Sequence, residues 1–551
     1  MRKGDGKQLN CAKCEGVFAV RQEDLEFYKG FSVPAPTLCP ECRQQKRLAF
    51  RNERNLYKRN CDLCKKPIIS VYSPDKKLTV YCKDCWWGDK WDAEKHGKDF
   101  DFNKPFLEQF VELLQAVPKL ELTNVLQENS DYTNYCYAGK DCYLLYTSDE
   151  NEKCCYGSYV WHSEGCFDCL YVIDSKHCYE CTDCVGDYEC QFCQMCEYCA
   201  DCAMCYSCKN CQNCFGCVGL RHKQYYFFNE ELSKEVYENR LREVFKQGLN
   251  KVEARVAELK KDFPKRAVFQ VNCEDCVGNY LKNSKGLYYC FDGRGAEYVK
   301  YSANIADQVY HCYDMDGCGR VEWCAEGIST GLEGTNHCFA SDHLWNGNYS
   351  AYYCSYCLGC HDVFGCAGLK RKQFAILNKV YSESEYLALR ERIIAQMKRE
   401  GCWGEFFPIS ISPFAYNETA AFEYYPLSKD QILANGWRWK DADMREYLKQ
   451  DYALPSRIED VDDDILQKIL TCGGCGKNYK IIAQELNYLR NFLLPVPREC
   501  PDCRHKRRNA LRMPRKLWKR PCDKCHGEMW SGYAPEEEGV VYCEKCWLGM
   551  F

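Results

Sequence analysis

Ten cysteines between Cys190 and Cys217 fall on every third residue without a break, a spacing that neither an α-helix nor an ordinary strand produces. Beneath it lies a longer period: Cys142, Cys154, Cys166, Cys178, Cys190, Cys202 and Cys214 are each twelve residues apart. A fixed period without insertions is the mark of a solenoid, in which each coil buries its inner face only against its neighbours. The grid positions between the cysteines agree, because Leu145, Ser148, Gly157, Val160, Ser163, Val172, Ser175 and Leu220 are small or apolar. Only Asn151 and Asp187 depart from the pattern.

A second stretch repeats the first. Offset 149 relates Phe215, Cys217, Gly219, Leu220, Lys223, Gln224 and Asn229 to Phe364, Cys366, Gly368, Leu369, Lys372, Gln373 and Asn378. Here Cys276, Cys312, Cys318, Cys324, Cys354, Cys360 and Cys366 keep multiple-of-six spacing, while Cys290 and Cys338 are displaced by two. Loop insertions that shift the frame, and a wider, less regular coil, are therefore expected. The coil pattern resembles the twelve-residue β-helix of insect antifreeze proteins. The likeness extends to geometry only, because their outward threonine ladder is missing.

Both ends of the chain carry four Cys-x-x-Cys pairs. The first set is Cys11/Cys14, Cys39/Cys42, Cys61/Cys64 and Cys82/Cys85. Adding 461 to each position gives Cys472, Cys475, Cys500, Cys503, Cys522, Cys525, Cys543 and Cys546. Two such knuckles supply the four thiolates that a tetrahedral Zn²⁺ prefers and leave no open position for substrate. About four structural zinc ions are expected, paired sequentially along the chain, although an interleaved cross-brace would use the same residues. Between the second and third knuckles both copies are basic: Arg43, Lys46, Arg47, Arg51, Lys58 and Arg59, then Arg504, Lys506, Arg507, Arg508, Arg512, Lys519 and Arg520. Such runs suit the phosphates of nucleic acid, with RNA or the ribosome favoured over DNA. Two alternatives use the same residues: charge balance around thiolate sites, since sixteen thiolates against four Zn²⁺ move the formal charge from −5 to −13, or an acidic protein partner.

Helices are expected outside the coils. DFDFNKPFLEQFVELLQAVP reads as an amphipathic helix with Asn103 as N-cap, placed to cap the open end of the first solenoid. Residues 230–265 carry helical periodicity interrupted at Gly248, and SESEYLALRERIIAQMKRE opens with a Ser382/Glu385 capping box. The expected fold is mainly β with flanking helices: two cysteine-rich β-solenoids bracketed by duplicated two-zinc ribbon-type modules. Its segments are an N-terminal module (1–98), capping helix and linker (99–129), first solenoid (130–229), helical segment (230–265) and second solenoid (266–378). A helix with an aromatic, Pro-rich passage (379–440), an acidic linker helix (441–470) and the C-terminal module (471–551) complete it.

CFGCVGLRHKQYYFFNEELSKEVY, YYPLSKDQILANGWRW and CPDCRHKRR together resemble an uncharacterised family of zinc-ribbon, cysteine-rich proteins of candidate-phyla-radiation bacteria. That resemblance covers nearly the whole chain and brings no catalytic residues.

With 47 cysteines, an odd number, and no signal-peptide-like start or apolar run of about 20 residues, the chain reads as cytoplasmic and without membrane contact. Interior thiols can pack as small hydrophobes, bind metal or oxidise. His162, His177, His222, His311, His337, His343 and His361 lie in the coils, several beside cysteines, and are expected to point outward. The expectation is a binding scaffold for nucleic acid or protein; a thiol or metal enzyme, or a metal store, ranks below it.

Overall fold

A computed structural model describes residues 6–441 and 447–551 apart from 248, 307 and 331–332. Its first solenoid is built from one three-residue step. A residue pointing into the coil is followed by one that bridges to the next coil, and then by one in the left-handed region. From Leu126 to Phe228 every third residue has φ between +45° and +72°, whether it is Tyr, Leu, Glu or Gly. Such backbone costs roughly 1–3 kcal/mol per non-Gly residue in isolation and persists only where its surroundings over-determine it. The inter-coil ladder does so here. The Tyr143 N–H donates to the Cys154 carbonyl one coil ahead, and the Leu144 N–H donates to the Asp131 carbonyl one coil behind. The pattern repeats down the stack, with bridges such as Lys140 to Glu152 and Glu152 to Glu164 each twelve residues apart.

The step also turns the backbone N–H of each inward residue toward the interior, where no water reaches it. This explains the two residues that broke the sequence pattern. Asn151 accepts from the Ser163 N–H at 3.0 Å and donates to the Val160 carbonyl at 2.8 Å. Asp187 accepts from the Cys199 N–H at 2.8 Å. Ser148 and Ser163 serve Val160 and Ser175 in the same way. Cysteines fill most remaining positions: the Cys154 thiol lies within hydrogen-bond reach of the Glu152 carbonyl at 3.5 Å and the Ser163 carbonyl at 3.4 Å. Burial pushes the Cys142 thiol up to about 12, which keeps its proton in place.

The second solenoid, from Gln270 to Ile376, follows the same plan with unequal coils. Gln270 pairs with Leu281, Ala303 with Asp316 and Ala325 with Phe339, giving coils of 11, 13 and 14 residues. Its interior is more aliphatic, with Leu281, Leu287, Val299, Ile305, Val309, Met315 and Val363 among the buried residues. The solenoids touch directly. Tyr171 donates to Asn304, Asn304 donates to Tyr159, and Tyr135 hydrogen-bonds His343.

Three expectations change. The helix Phe106–Ala116 starts after Pro105, not Asn103, and packs on the last coils of the second solenoid through Phe106 and Phe364 rather than closing the first. Distance in sequence hid that partner. The acidic linker forms two short 3₁₀ turns, Ile458–Asp460 and Asp463–Gln467, in place of a helix. His343 is buried, because the coil side that carries it faces the other solenoid. The Ser382/Glu385 capping box is present, and helices Lys234–Gln247 and Leu249–Asp262 flank the first solenoid, while Gly248 lies outside the described residues.

Replacing Asn151 by Leu keeps the volume but strands the Ser163 N–H and the Val160 carbonyl. The expected loss is about 1–3 kcal/mol for each buried group left unpaired. Urea unfolding followed by circular dichroism would show an earlier midpoint than for Val160→Ala.

Candidate metal centres and the arginine clamps

Four groups of four cysteines bring their sulfurs together: Cys11, Cys14, Cys39 and Cys42; Cys61, Cys64, Cys82 and Cys85; Cys472, Cys475, Cys500 and Cys503; and Cys522, Cys525, Cys543 and Cys546. The pairing is sequential. In each group all four sulfurs lie within 4.8 Å of one another. The Cys14–Cys39, Cys64–Cys82 and Cys475–Cys500 sulfurs are 3.7 Å apart, and the Cys525–Cys543 sulfurs 3.8 Å. A tetrahedron with metal–sulfur bonds of about 2.3 Å has an edge of roughly 3.8 Å, so each group could hold one metal ion.

Local structure places these sulfurs. The first knuckle closes a tight turn, as where the Cys61 N–H donates to the Lys66 carbonyl, and the second knuckle opens a helix. Cys39 and Cys500 are N-caps of helices Pro40–Leu48 and Pro501–Asn509, where a proline suits the first helical position. Burial opposes ionisation at Cys11, Cys61, Cys472 and Cys522. Backbone N–H groups aimed at their sulfurs, including those of Cys14, Cys64, Cys500 and Cys525, overcome it and bring each thiol down to about 6.

The two helices that carry the second knuckles also carry the basic runs, whose arginines turn away from solvent. Arg43 pairs with Asp314 at 2.8 Å, and Arg47 with Asp314 at 3.1 Å, Asp316 at 2.8 Å and Glu326 at 3.2 Å. At the other end, Arg504 pairs with Asp168 at 2.6 Å, and Arg508 with Asp168 at 2.9 Å and Glu180 at 3.1 Å. All four side chains are 2% exposed or less. The N-terminal module thus sits on the second solenoid and the C-terminal module on the first. The same offset of 461 relates Asp24 to Glu485: Tyr301 donates to Asp24 and Tyr156 to Glu485, each at 2.8 Å. Phe27 stacks on Tyr313, and its counterpart Tyr488 packs on Phe167.

Beyond each docking helix the chain crosses to the other solenoid. Arg51 pairs with Glu53 and donates to Thr147, while Arg54 donates to Ser158. Arg512 bridges Asp183 of the first solenoid at 2.8 Å and Asp292 of the second at 2.7 Å, and Arg515 adds a bond to Asp292 at 2.9 Å. Burial opposes ionisation of Asp292, but Arg512 and Arg515 hold its carboxyl below the usual range. Each module then adds a short parallel strand pair, Val80–Tyr81 with Lys119–Leu120 and Val541–Tyr542 with Lys265–Arg266. The modules also meet each other, where Arg54 reaches Asp502 at 3.4 Å.

The basic residues chosen from sequence therefore separate into two sets. Arg43, Arg47, Arg51, Arg504, Arg508 and Arg512 have side chains at most 5% exposed and are held by acids of the chain itself, so their charge is not on the surface. Lys46 pairs with Glu405, Arg59 with Asp62, Arg507 with Glu180 and Glu499, Lys519 with Glu528 and Arg520 with Asp523. Lys58 and Lys506 are exposed. Trp86 is buried and donates to the Pro118 carbonyl, so it offers no stacking face. The acidic sockets went unread, although Asp168/Glu180 and Asp314/Glu326 share a twelve-residue spacing that puts both acids of each pair on one side of successive coils. No protein-family model matches this chain, and no curated protein matches it.

Burial pushes the Asp168 carboxyl up to about 7 even with Arg504 and Arg508 beside it, with Glu180 and Glu485 adding to the rise. The ion pairs therefore contribute little net stability but are costly to break. Arg508→Met is expected to destabilise by about 3–5 kcal/mol, because it leaves Asp168 and Glu180 undercompensated in the interior. Hydrogen exchange should show the loss first in Pro501–Asn509.

Proposed function

We propose that the chain is a non-catalytic, zinc-stabilised scaffold that presents solenoid faces to a protein partner. The observation that carries this reading is the fate of the basic runs, in which Arg43, Arg47, Arg51, Arg504, Arg508 and Arg512 close the molecule on itself. What remains for a partner is the ordered outer surface. The side of the first solenoid opposite the clamps repeats exposed side chains coil after coil, with Glu164, Lys176 and Tyr188 in register and Lys176 paired to Glu164. Zinc is the ion that suits four thiolates at this spacing. A reducing compartment, for which we propose the cytoplasm, suits the free thiols; among the described residues no helix is long and apolar enough to cross a membrane.

Elemental analysis of the purified chain is expected to give four zinc ions. Cys475→Ser should lower that to three and loosen the helix Pro501–Asn509, whose N-cap Cys500 belongs to the same group. Four zinc ions retained in that variant would rule out the assigned ligands.

The second reading keeps RNA or DNA as the ligand and rests on Lys58 and Lys506, with Arg507 and Lys519 partly engaged. Titration of fluorescent RNA and DNA against salt separates the two readings. The scaffold reading expects weak binding that neutralising Lys58, Lys506 and Lys519 changes less than twofold. A log K against log salt slope steeper than about −3 would mean several phosphate contacts and restore the nucleic-acid function.

A further inference from the structure

The first solenoid holds one feature that the scaffold does not need. Cys142 and every twelfth residue after it to Cys214 form an uninterrupted column of seven cysteines, all at most 2% exposed. Packing alone does not demand an unbroken run, because the neighbouring columns of the same tube, though also rich in cysteine, are interrupted by Leu145, Gly157, Val160, Val172, Ser163 and Asn151.

The geometry of the column repeats as well as its identity. Each thiol has two carbonyls within hydrogen-bond reach, one two residues before it and one nine residues after it. Cys142 uses Lys140 and Asn151, Cys178 uses Lys176 and Asp187, and Cys214 uses Gln212 and Lys223, at 3.3–3.6 Å. Identical acceptors fix identical rotamers, so the sulfurs stack at the rise of the coil, about 4.8 Å. A linear sulfur–metal–sulfur unit whose bonds are close to the ~2.3 Å of a zinc thiolate spans roughly 4.6 Å. The fit is to two-coordinate binding: among the described residues outside the four terminal groups, no three potential ligand atoms lie within 4.8 Å of one another.

We propose that this column binds a file of soft monovalent d¹⁰ ions, Cu(I) above all, each bridging two stacked sulfurs. Soft thiolates select Cu(I), and a linear pair is a geometry that Zn²⁺ does not adopt in proteins. The chemistry balances without a change of oxidation state. Each Cu⁺ that enters displaces one thiol proton, which leaves to solvent, and each interior thiolate then shares its lone pairs between the ions on either side. Seven sulfurs enclose six gaps, so six ions exchange for six protons and the formal charge of the tube does not change. That neutrality suits an interior from which water is excluded.

The test uses the full chain with its terminal zinc sites loaded, under anaerobic conditions, with Cu(I) delivered from its bicinchoninate complex. The expected result is uptake of at least six copper ions per chain, one proton released per ion and no zinc release, with an X-ray absorption spectrum showing two sulfur neighbours per copper. Cys190→Val, a side chain the tube already holds at Val160 and Val172, removes two of the six gaps of this column and should lower uptake by about two ions. Cys136→Val, whose neighbours in its own column are Asn124 and Ser148, should leave uptake unchanged. Copper uptake matched by zinc release, no uptake, or a shell of three or four sulfurs would overturn the proposal. The copper spectrum and zinc balance of the unaltered chain decide the matter even if Cys190→Val does not fold.

Discussion

Buried ion pairs between the docking helices and the solenoids set the arrangement of everything else. A guanidinium in a dry site is tolerated only where acids meet it, and each socket supplies carboxylates from two consecutive coils at the spacing the coil rise dictates. The cysteine groups then have a second purpose besides local stability. Cys39, Cys42, Cys500 and Cys503 anchor the first turn of the helices that carry Arg43, Arg47, Arg504 and Arg508, so the sulfur tetrahedron fixes the angle at which the arginines enter. Stacking of Phe27 on Tyr313 and packing of Tyr488 on Phe167 supply the apolar contact beside the charges.

Much of this was legible in the sequence because it is local or periodic. The cysteine quartets follow from pair spacing, and the coils from the periods of three and twelve. The basic runs were equally visible, yet their destination was not. Arg43 meets Asp314 across 271 residues, and a surface phosphate site and an internal socket require the same residue types. The helix Phe106–Ala116 failed for the same reason: its amphipathic face predicted burial but could not name the surface that covers it. Asn151 and Asp187 looked like errors only because the interior was judged by packing. Once each inward N–H is counted, a polar side chain at a grid position becomes a solution to the backbone's own demand.

The two solenoids show how one step tolerates different fillings. The first stays at twelve residues per coil and fills its tube with thiols within reach of carbonyls; the second varies in coil length and relies on aliphatic side chains. Regular coils leave the first solenoid with long aligned columns, whereas the second, with unequal coils, aligns shorter runs such as Cys312, Cys324 and Cys338. The clamps fall where the two tubes run side by side, with Arg512 reaching an acid of each.

The crossed docking also sets an order of events during synthesis. The N-terminal module leaves the ribosome with its first socket still about 270 residues away, which at roughly 5–20 residues per second is a wait of about 15–50 s. Throughout that interval Arg43 and Arg47 face water, and any polyanion nearby is a competitor for them. The C-terminal module meets the opposite situation, because Asp168 and Glu180 are already displayed on a finished coil when Arg504 and Arg508 emerge. The later-made module is thus the one that locks, and a chain truncated before it would leave the first solenoid with an open row of acids.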